Sequence, residues 1–153
     1  MSNYDSTERT RVILIAEDDA TDRFILLQAC LRERVEKNVR FVIDGHQCLN
    51  YLEGQPPYDH RADFPFPVLL ILDLKMPGID GYDVLAHIRK SPKLCQLPVV
   101  VLSTSDRTED QERAINLGAL EYHVKSPTMH QTQDFVARIC RRWLGPIAPA
   151  TGQ

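Results

Sequence analysis

Long apolar runs are missing from this chain. The longest, Val68–Leu72 and the equally long Val12–Ala16, are far too short to cross a bilayer, which excludes a membrane-spanning helix. The N-terminal stretch Met1–Arg11 is polar and charged and lacks the apolar core of a secretory leader. Excess positive charge is missing too. The net charge of −3 gives neither nucleic acid nor an anionic membrane an electrostatic hold on the molecule as a whole. The four cysteines, Cys30, Cys48, Cys95 and Cys140, form no C-x-x-C pair. They read as reduced, small apolar residues of a cytoplasmic protein. His46, His60, His87, His123 and His130 are scattered without metal-ligand spacing. No Gly-rich phosphate loop occurs, so Walker-type and Rossmann-type nucleotide binding drop out.

What remains is an ordinary globular composition. With 153 residues, 43% hydrophobic and 25% charged, the chain reads as one domain with a full core. Strand-like and helix-like stretches alternate along it. Strands are expected at Val12–Ala16, Val39–Ile43, Val68–Leu72, Pro98–Leu102 and Glu121–Val124. Helices are expected over 21–34, 45–52, 82–90, 108–117 (capped by Gly118) and 131–144. In the first of them Phe24, Leu27, Leu31 and Val35 recur at helical spacing. In the second, Cys48, Leu49 and Leu52 point inward.

Near-continuous apolar strands imply a sheet covered on both faces, and strict alternation implies parallel strands with right-handed crossovers. The expected fold is therefore α/β, a doubly wound five-stranded parallel sheet with helices on both faces. Its ligand site should lie at the carboxyl ends of the strands. Acids sit there. Glu17, Asp18 and Asp19 follow the first strand, and Asp73 follows the third. Such a cluster repels itself and calls for positive charge. A hard divalent cation such as Mg²⁺, which prefers oxygen ligands, is the natural candidate, and Lys125, just past the fifth strand, can add more.

Taken together, Glu17-Asp18, the stretch Asp73-Leu74-Lys75-Met76-Pro77-Gly78-Ile79-Asp80-Gly81, Leu102-Ser103-Thr104, Tyr122 and Lys125 resemble a two-component response-regulator receiver domain of the CheY-like, flavodoxin-like fold. The resemblance covers about residues 11–144 and implies strand order 2-1-3-4-5. A wider similarity is to single-domain regulators partnered with phytochrome-type sensor kinases. It rests on the long loop before the third strand, Val101-Leu102-Ser103-Thr104-Ser105, and Lys125 followed by Ser126.

The resemblance implies a set of roles. Asp73 is the nucleophile that takes a phosphoryl group from a sensor histidine kinase. Asp18 binds Mg²⁺ directly, Glu17 acts through a water, and the backbone carbonyl of Lys75 is a further ligand beside Asp73. Lys125 pairs with Asp73 and then with the phosphate. Ser103 offers its hydroxyl to the phosphate, and Tyr122 is the aromatic switch that follows Ser103. Thr104 and the Lys75 side chain border phosphate access. The chemistry is then positioning and charge stabilisation rather than turnover of a substrate, so no enzyme is expected beyond self-phosphotransfer and self-dephosphorylation. For Ser103 and Tyr122 the plainer alternatives are a strand-end hydroxyl and a half-buried strand tyrosine. Pro77, Gly78 and Gly81 read as shaping the turn that leaves the third strand.

One departure from the family pattern concerns Lys125. Most members have proline next, often after a cis bond, whereas here Ser126 precedes Pro127. The loop after the fifth strand must take another conformation. Three expectations concern the periphery. The loop Gln55–Phe66 is either functional or a tolerated insertion. The last helix carries a stripe, Phe135, Val136, Ile139, Cys140, Trp143 and Leu144, part of which covers the sheet. Phe135, Ile139 and Trp143 are the expected seam of a homodimer. The segments 1–10 and 145–153 are expected to be flexible, with no output domain after Leu144, so that output passes through a protein surface to a downstream protein target that the sequence does not name. Two rivals stand beside the phosphoacceptor: a phosphorylation-independent receiver-like adaptor, and an aspartyl-phosphate phosphohydrolase. The phosphohydrolase needs a second acid where Lys75 stands.

Overall fold

The computed structural model describes residues 10–146. The segments expected to be flexible, at both ends, lie almost wholly outside them. The elements run β1 (Ile13–Ala16), α1 (Ala20–Arg32), a single 3₁₀ turn (Glu36–Asn38), β2 (Val39–Val42), α2 (Gly45–Glu53), β3 (Leu69–Leu72), α3 (Gly81–Lys90), β4 (Val99–Ser103), α4 (Thr108–Asn116), β5 (Glu121–Val124) and α5 (Met129–Leu144). All five strands are parallel in the order β2-β1-β3-β4-β5. The doubly wound sheet expected from the sequence is thus present, with each strand within a residue of its expected bounds.

Side chains alternate across the sheet, and the two faces make two cores. Leu14, Leu70, Leu72 and Val101 face Cys48 and Leu52 of α2, Val84, Leu85 and Ile88 of α3, and Ala114 of α4. Ile13, Ile15, Ile71 and Val100 face Leu26, Ala29 and Cys30 of α1 and Phe135, Val136, Ile139 and Cys140 of α5. Among the described residues no helix is long and apolar enough to cross a membrane.

The structure corrects the reading of α1. Its inward face is Leu26, Ala29 and Cys30, while Phe24, Leu27 and Leu31 are exposed, Phe24 at 59%. The helix carries apolar residues around much of its girth, so spacing alone could not choose the face. The small Ala29 and Cys30 let α1 lie close to the sheet and to α5. Of the expected dimer seam, Phe135 and Ile139 are 7% and 5% exposed and lie in the core against the sheet. Trp143 is half-buried against the same core. An amphipathic stripe covers the sheet first, and here that uses up two of the three seam residues.

The long loop is an ordered cap on the α2 side. Tyr51, Tyr58 and Phe64 stack at 5.1 to 6.0 Å between ring centroids. The Arg61 guanidinium donates to the carbonyls of Tyr51, Leu52 and Phe64 at 2.8, 2.9 and 3.1 Å. Two of those carbonyls belong to the last turn of α2, where helical partners run out. All four cysteines are free, with Cys30, Cys48 and Cys140 buried and Cys95 exposed.

Candidate functional site

Glu17, Asp73 and Lys125 each sit one position beyond a strand, held by hydrogen bonds that prolong the sheet. The Glu17 N–H donates to Val42 O at 3.0 Å, Asp73 N–H to Ala16 O at 3.1 Å, and Lys125 N–H to Ser103 O at 2.7 Å. Four strand ends therefore meet at one edge with their side chains converging. Asp19, the third acid of its run, caps α1 by accepting from Asp22 N–H at 2.8 Å. Arg23 donates to the carbonyls of Glu17 and Asp18 at 3.0 and 2.7 Å, which fixes the backbone carrying the acids.

Glu17 and Asp73 are buried, at 1% and 6% exposed, and Asp18 lies open beside them. One oxygen from each can come within 4.8 Å of the others. Lys125 Nζ lies among the carboxylates, paired with Glu17, with Asp73 Oδ2 at 3.0 Å and with Asp22 Oδ2 at 2.8 Å. One ammonium cannot neutralise this many acids. Burial, reinforced by Asp73, pushes the Glu17 carboxyl from 4.5 up to about 8, against the pull of Lys125. Burial alone would lower the Lys125 ammonium, but its bonds to Asp22 and Glu17 and the charge of Asp73 hold it well above the ordinary lysine value. Buried acids short of positive charge, all with oxygen donors, fit Mg²⁺.

The turn after β3 brings backbone up to Asp73. Lys75 N–H donates to Asp73 Oδ1 at 3.2 Å, and the Lys75 side chain is exposed. Gly78 has φ +73°, and a Cβ on Gly81 would lie 2.5 Å from Asp73 O and 2.6 Å from Leu74 Cα. Only glycine lets α3 start this close to the nucleophile.

Ser103 is fully buried at the end of β4, and its Oγ accepts from Ser105 N–H at 3.2 Å. Thr104 is exposed at the rim. Tyr122 packs against the α2/α3/α4 core, and its hydroxyl donates to Ser105 O at 2.8 Å. Ser105 Oγ in turn donates to Asp110 Oδ2 at 2.5 Å, and Asp110 Oδ1 accepts from Tyr82 at 2.6 Å. Ser126, in the family's proline position, accepts from Thr128 N–H at 3.2 Å, and Thr128 caps α5 through Gln131 N–H at 3.3 Å. The serine thus builds a turn that starts α5. The structure brings together Glu17, Asp18, Asp73 and Lys125, with Ser103 on the neighbouring strand end. The sequence reading assigned no role to Asp22, Arg23, Asp110 or Tyr82, and marked Ser105 only as the end of the Val101–Ser105 stretch.

Comparison with known proteins agrees with this geometry. Residues 13–137 match the family model described as the response regulator receiver domain. The chain is 31% identical over 143 residues to the response regulator Rcp1 of Synechocystis, covering 94% of this chain and 95% of Rcp1. Among solved structures, the phosphorylated cyanobacterial phytochrome response regulator RcpA superposes with a TM-score of 0.78 at 33% identity, over 94% of this chain and 96% of RcpA. The response regulator RPA3017, of red light signaling in R. palustris, gives 0.81 at 31% identity, over 92% and 99%. Rcp1 itself has been crystallised in a Mn²⁺-bound form, with a TM-score of 0.77 at 31% identity over 92% of this chain and 99% of that one. The chain belongs to the response-regulator receiver family. Phosphorylation on aspartate by a sensor histidine kinase and Mg²⁺ binding are general features of that family, and the acidic cluster fits them here.

Proposed function

We propose that this chain is a cytoplasmic phosphoacceptor switch that receives its phosphoryl group from a phytochrome-type sensor histidine kinase. The observation that carries the reading is the convergence of buried Asp73, Glu17 and Lys125 with exposed Asp18 at the carboxyl edge of the sheet. The phytochrome partnership is supported by similarity to RcpA, Rcp1 and RPA3017 over nearly the whole of both chains. The chemistry is self-modification, not turnover of an external substrate.

An Asp73 oxygen attacks the phosphorus of the kinase's phosphohistidine. The P–N bond breaks with its electron pair returning to the imidazole, and an acyl phosphate forms on Asp73. Asp18, Asp73 and the Lys75 carbonyl would hold Mg²⁺, with Glu17 acting through a water, and the ion would supply positive charge to the phosphoryl oxygens. Lys125 transfers its contact from the Asp73 carboxylate to the phosphate. Ser103 turns its hydroxyl from Ser105 N–H to a phosphate oxygen, and Tyr122 follows through its bond to Ser105. Phe135 and Ile139, buried against the sheet, are closed to a dimer seam through α5. Exposed Ile115, Leu120 and Val124, around α4 and β5, are one set of apolar groups open to a second copy.

The test is intact-protein mass after incubation with Mg²⁺ and acetyl phosphate. The expected result is a labile single-phosphate adduct on the parent, absent in Asp73→Asn and without Mg²⁺. A parent protein that stays unmodified and also binds no beryllofluoride would leave the adaptor reading in its place.

A further inference from the structure

The Lys125 ammonium has three N–H donors, and it faces three carboxylates. Two of them, Glu17 and Asp73, belong to the group that can hold a metal. The third, Asp22, stands outside that group, in the first turn of α1, with Oδ2 at 2.8 Å from Lys125 Nζ. Among the described residues Lys125 is the partner of the Asp22 carboxylate. The Asp19 side chain engages only the Asp22 backbone N–H.

A divalent cation and an ammonium compete for the same oxygens. When the cation draws on Asp73 and, through a water, on Glu17, two of the three contacts of Lys125 are weakened. Its side chain is only 13% exposed, so water cannot fully replace them. A carboxylate outside the metal's reach gives the ammonium a resting contact in both states. It also keeps the ammonium beside Asp73, where the phosphoryl group will arrive.

We propose that Asp22 is a positioning residue that holds Lys125 when Mg²⁺ occupies the acidic cluster, so that metal entry need not strand the ammonium. This rests on the phosphoacceptor reading above. Without Asp22 the lysine depends on Glu17 and Asp73 alone, and Mg²⁺ competes with it for both.

The test is Mg²⁺ titration followed by calorimetry and by backbone amide shifts, in a double-mutant cycle with Lys125→Met. Asp22→Asn should weaken Mg²⁺ binding about tenfold or more in the parent background but threefold or less once Lys125 is gone, because only a distant charge effect then remains. Asp22→Glu should restore affinity to within about threefold, and Asp22→Ser should behave as Asp22→Asn does. Equal losses in the two backgrounds, or no loss in the parent background, would overturn the proposal. Beryllofluoride binding by the parent and not by Asp73→Asn, run alongside, separates the two readings. If the parent binds it and the cycle shows no coupling, only the role of Asp22 falls. If the parent does not bind it, both fall.

Discussion

The Tyr82 hydroxyl and the Asp110 carboxylate are joined at 2.6 Å, and the same carboxylate accepts from Ser105 Oγ at 2.5 Å. One side chain thereby ties α3 and α4 to the loop that leaves β4. The Arg113 guanidinium lies over the Tyr82 ring at 3.9 Å and closes the cluster from above. Burial first, and then Asp110, push the Tyr82 hydroxyl up to about 12, so it remains a donor throughout the physiological range. The bonds from Ser105 and Tyr82 hold the Asp110 carboxyl below the ordinary aspartate value.

Ser105 is gripped at three points, its N–H by Ser103, its carbonyl by Tyr122 and its hydroxyl by Asp110. If Ser103 turns to a phosphate, the first grip is lost while the other two remain. Mg²⁺ with beryllofluoride should therefore speed amide hydrogen exchange at Ser105 by about tenfold, with smaller changes at Asp110. Ser103→Ala should show the fast rate from the start and no further response. An unchanged Ser105 rate on beryllofluoride binding would show that Ser103 does not move.

Glu17 makes the metal-free site sensitive to pH. Its carboxyl is raised from 4.5 to about 8 in the fold, so its contribution to stability is fully present below pH 4.5. That contribution is lost as pH rises toward 8. Unfolding in EDTA should thus show Glu17→Gln gaining on the parent as pH climbs from 5 to 8.5. Mg²⁺ needs the ionised carboxylate, so metal binding should release a proton, and affinity should rise up to about tenfold per pH unit below 8. In Glu17→Gln that slope should flatten. An equal slope in the two proteins would place the proton elsewhere.

Arg61 gives the long loop a separable test. Arg61→Ala leaves the carbonyls of Tyr51, Leu52 and Phe64 without their charged donor and removes the cation stacked at 5.8 Å over the Tyr51 ring. Hydrogen bonds to a charged donor contribute about 1.5–3 kcal/mol each when buried, and these are only partly so. A loss of about 2 kcal/mol in urea unfolding is expected. Proteolytic cleavage between residues 55 and 66 should become easier, while phosphorylation at Asp73 should be unaffected, because among the described residues no hydrogen bond or ion pair links the loop to the acids.

What the sequence made legible followed from periodicity and strand ends. Apolar runs closing on Glu17, Asp73 and Lys125 placed the nucleophile, the acids and the lysine at one edge before any contact was seen. What it hid were relations across long separations. Asp22 is one acid among several near the start of α1, and its partner Lys125 lies 103 residues on. Nothing in the sequence joins Ser105 to Asp110 until the fold brings Tyr82 against them. The inward face of α1 was illegible for another reason. When apolar residues occupy most of a helix's circumference, packing decides which of them are covered, and it favoured Ala29 and Cys30 over Leu27 and Leu31. Ser126 was legible as a departure, but its role in starting α5 needed the turn itself.

Gly81 tests whether the nucleophile's backbone tolerates any movement. An added Cβ would meet Asp73 O at 2.5 Å and Leu74 Cα at 2.6 Å, and both are backbone atoms that no rotamer change can relieve. Gly81 N–H also donates to Leu74 O at 2.9 Å, so the collision falls within a closed turn. The strand cannot yield easily, since Asp73 N–H is tied to Ala16 O and Leu72 is fully buried. The relief left is a shift of the start of α3, which would draw Val84 and Leu85 of that helix out of the core. Gly81→Ala should cost about 2–3 kcal/mol in urea unfolding, the range for overpacking a tight site. It should also slow acetyl-phosphate modification of Asp73 far more than Gly78→Ala does. Gly78 has open space around its Cα, so that variant meets only the penalty of a positive φ, about 1–2 kcal/mol, and leaves Asp73 in place. Equal phosphorylation rates in the two variants would mean that the nucleophile's position does not depend on the packing beneath it.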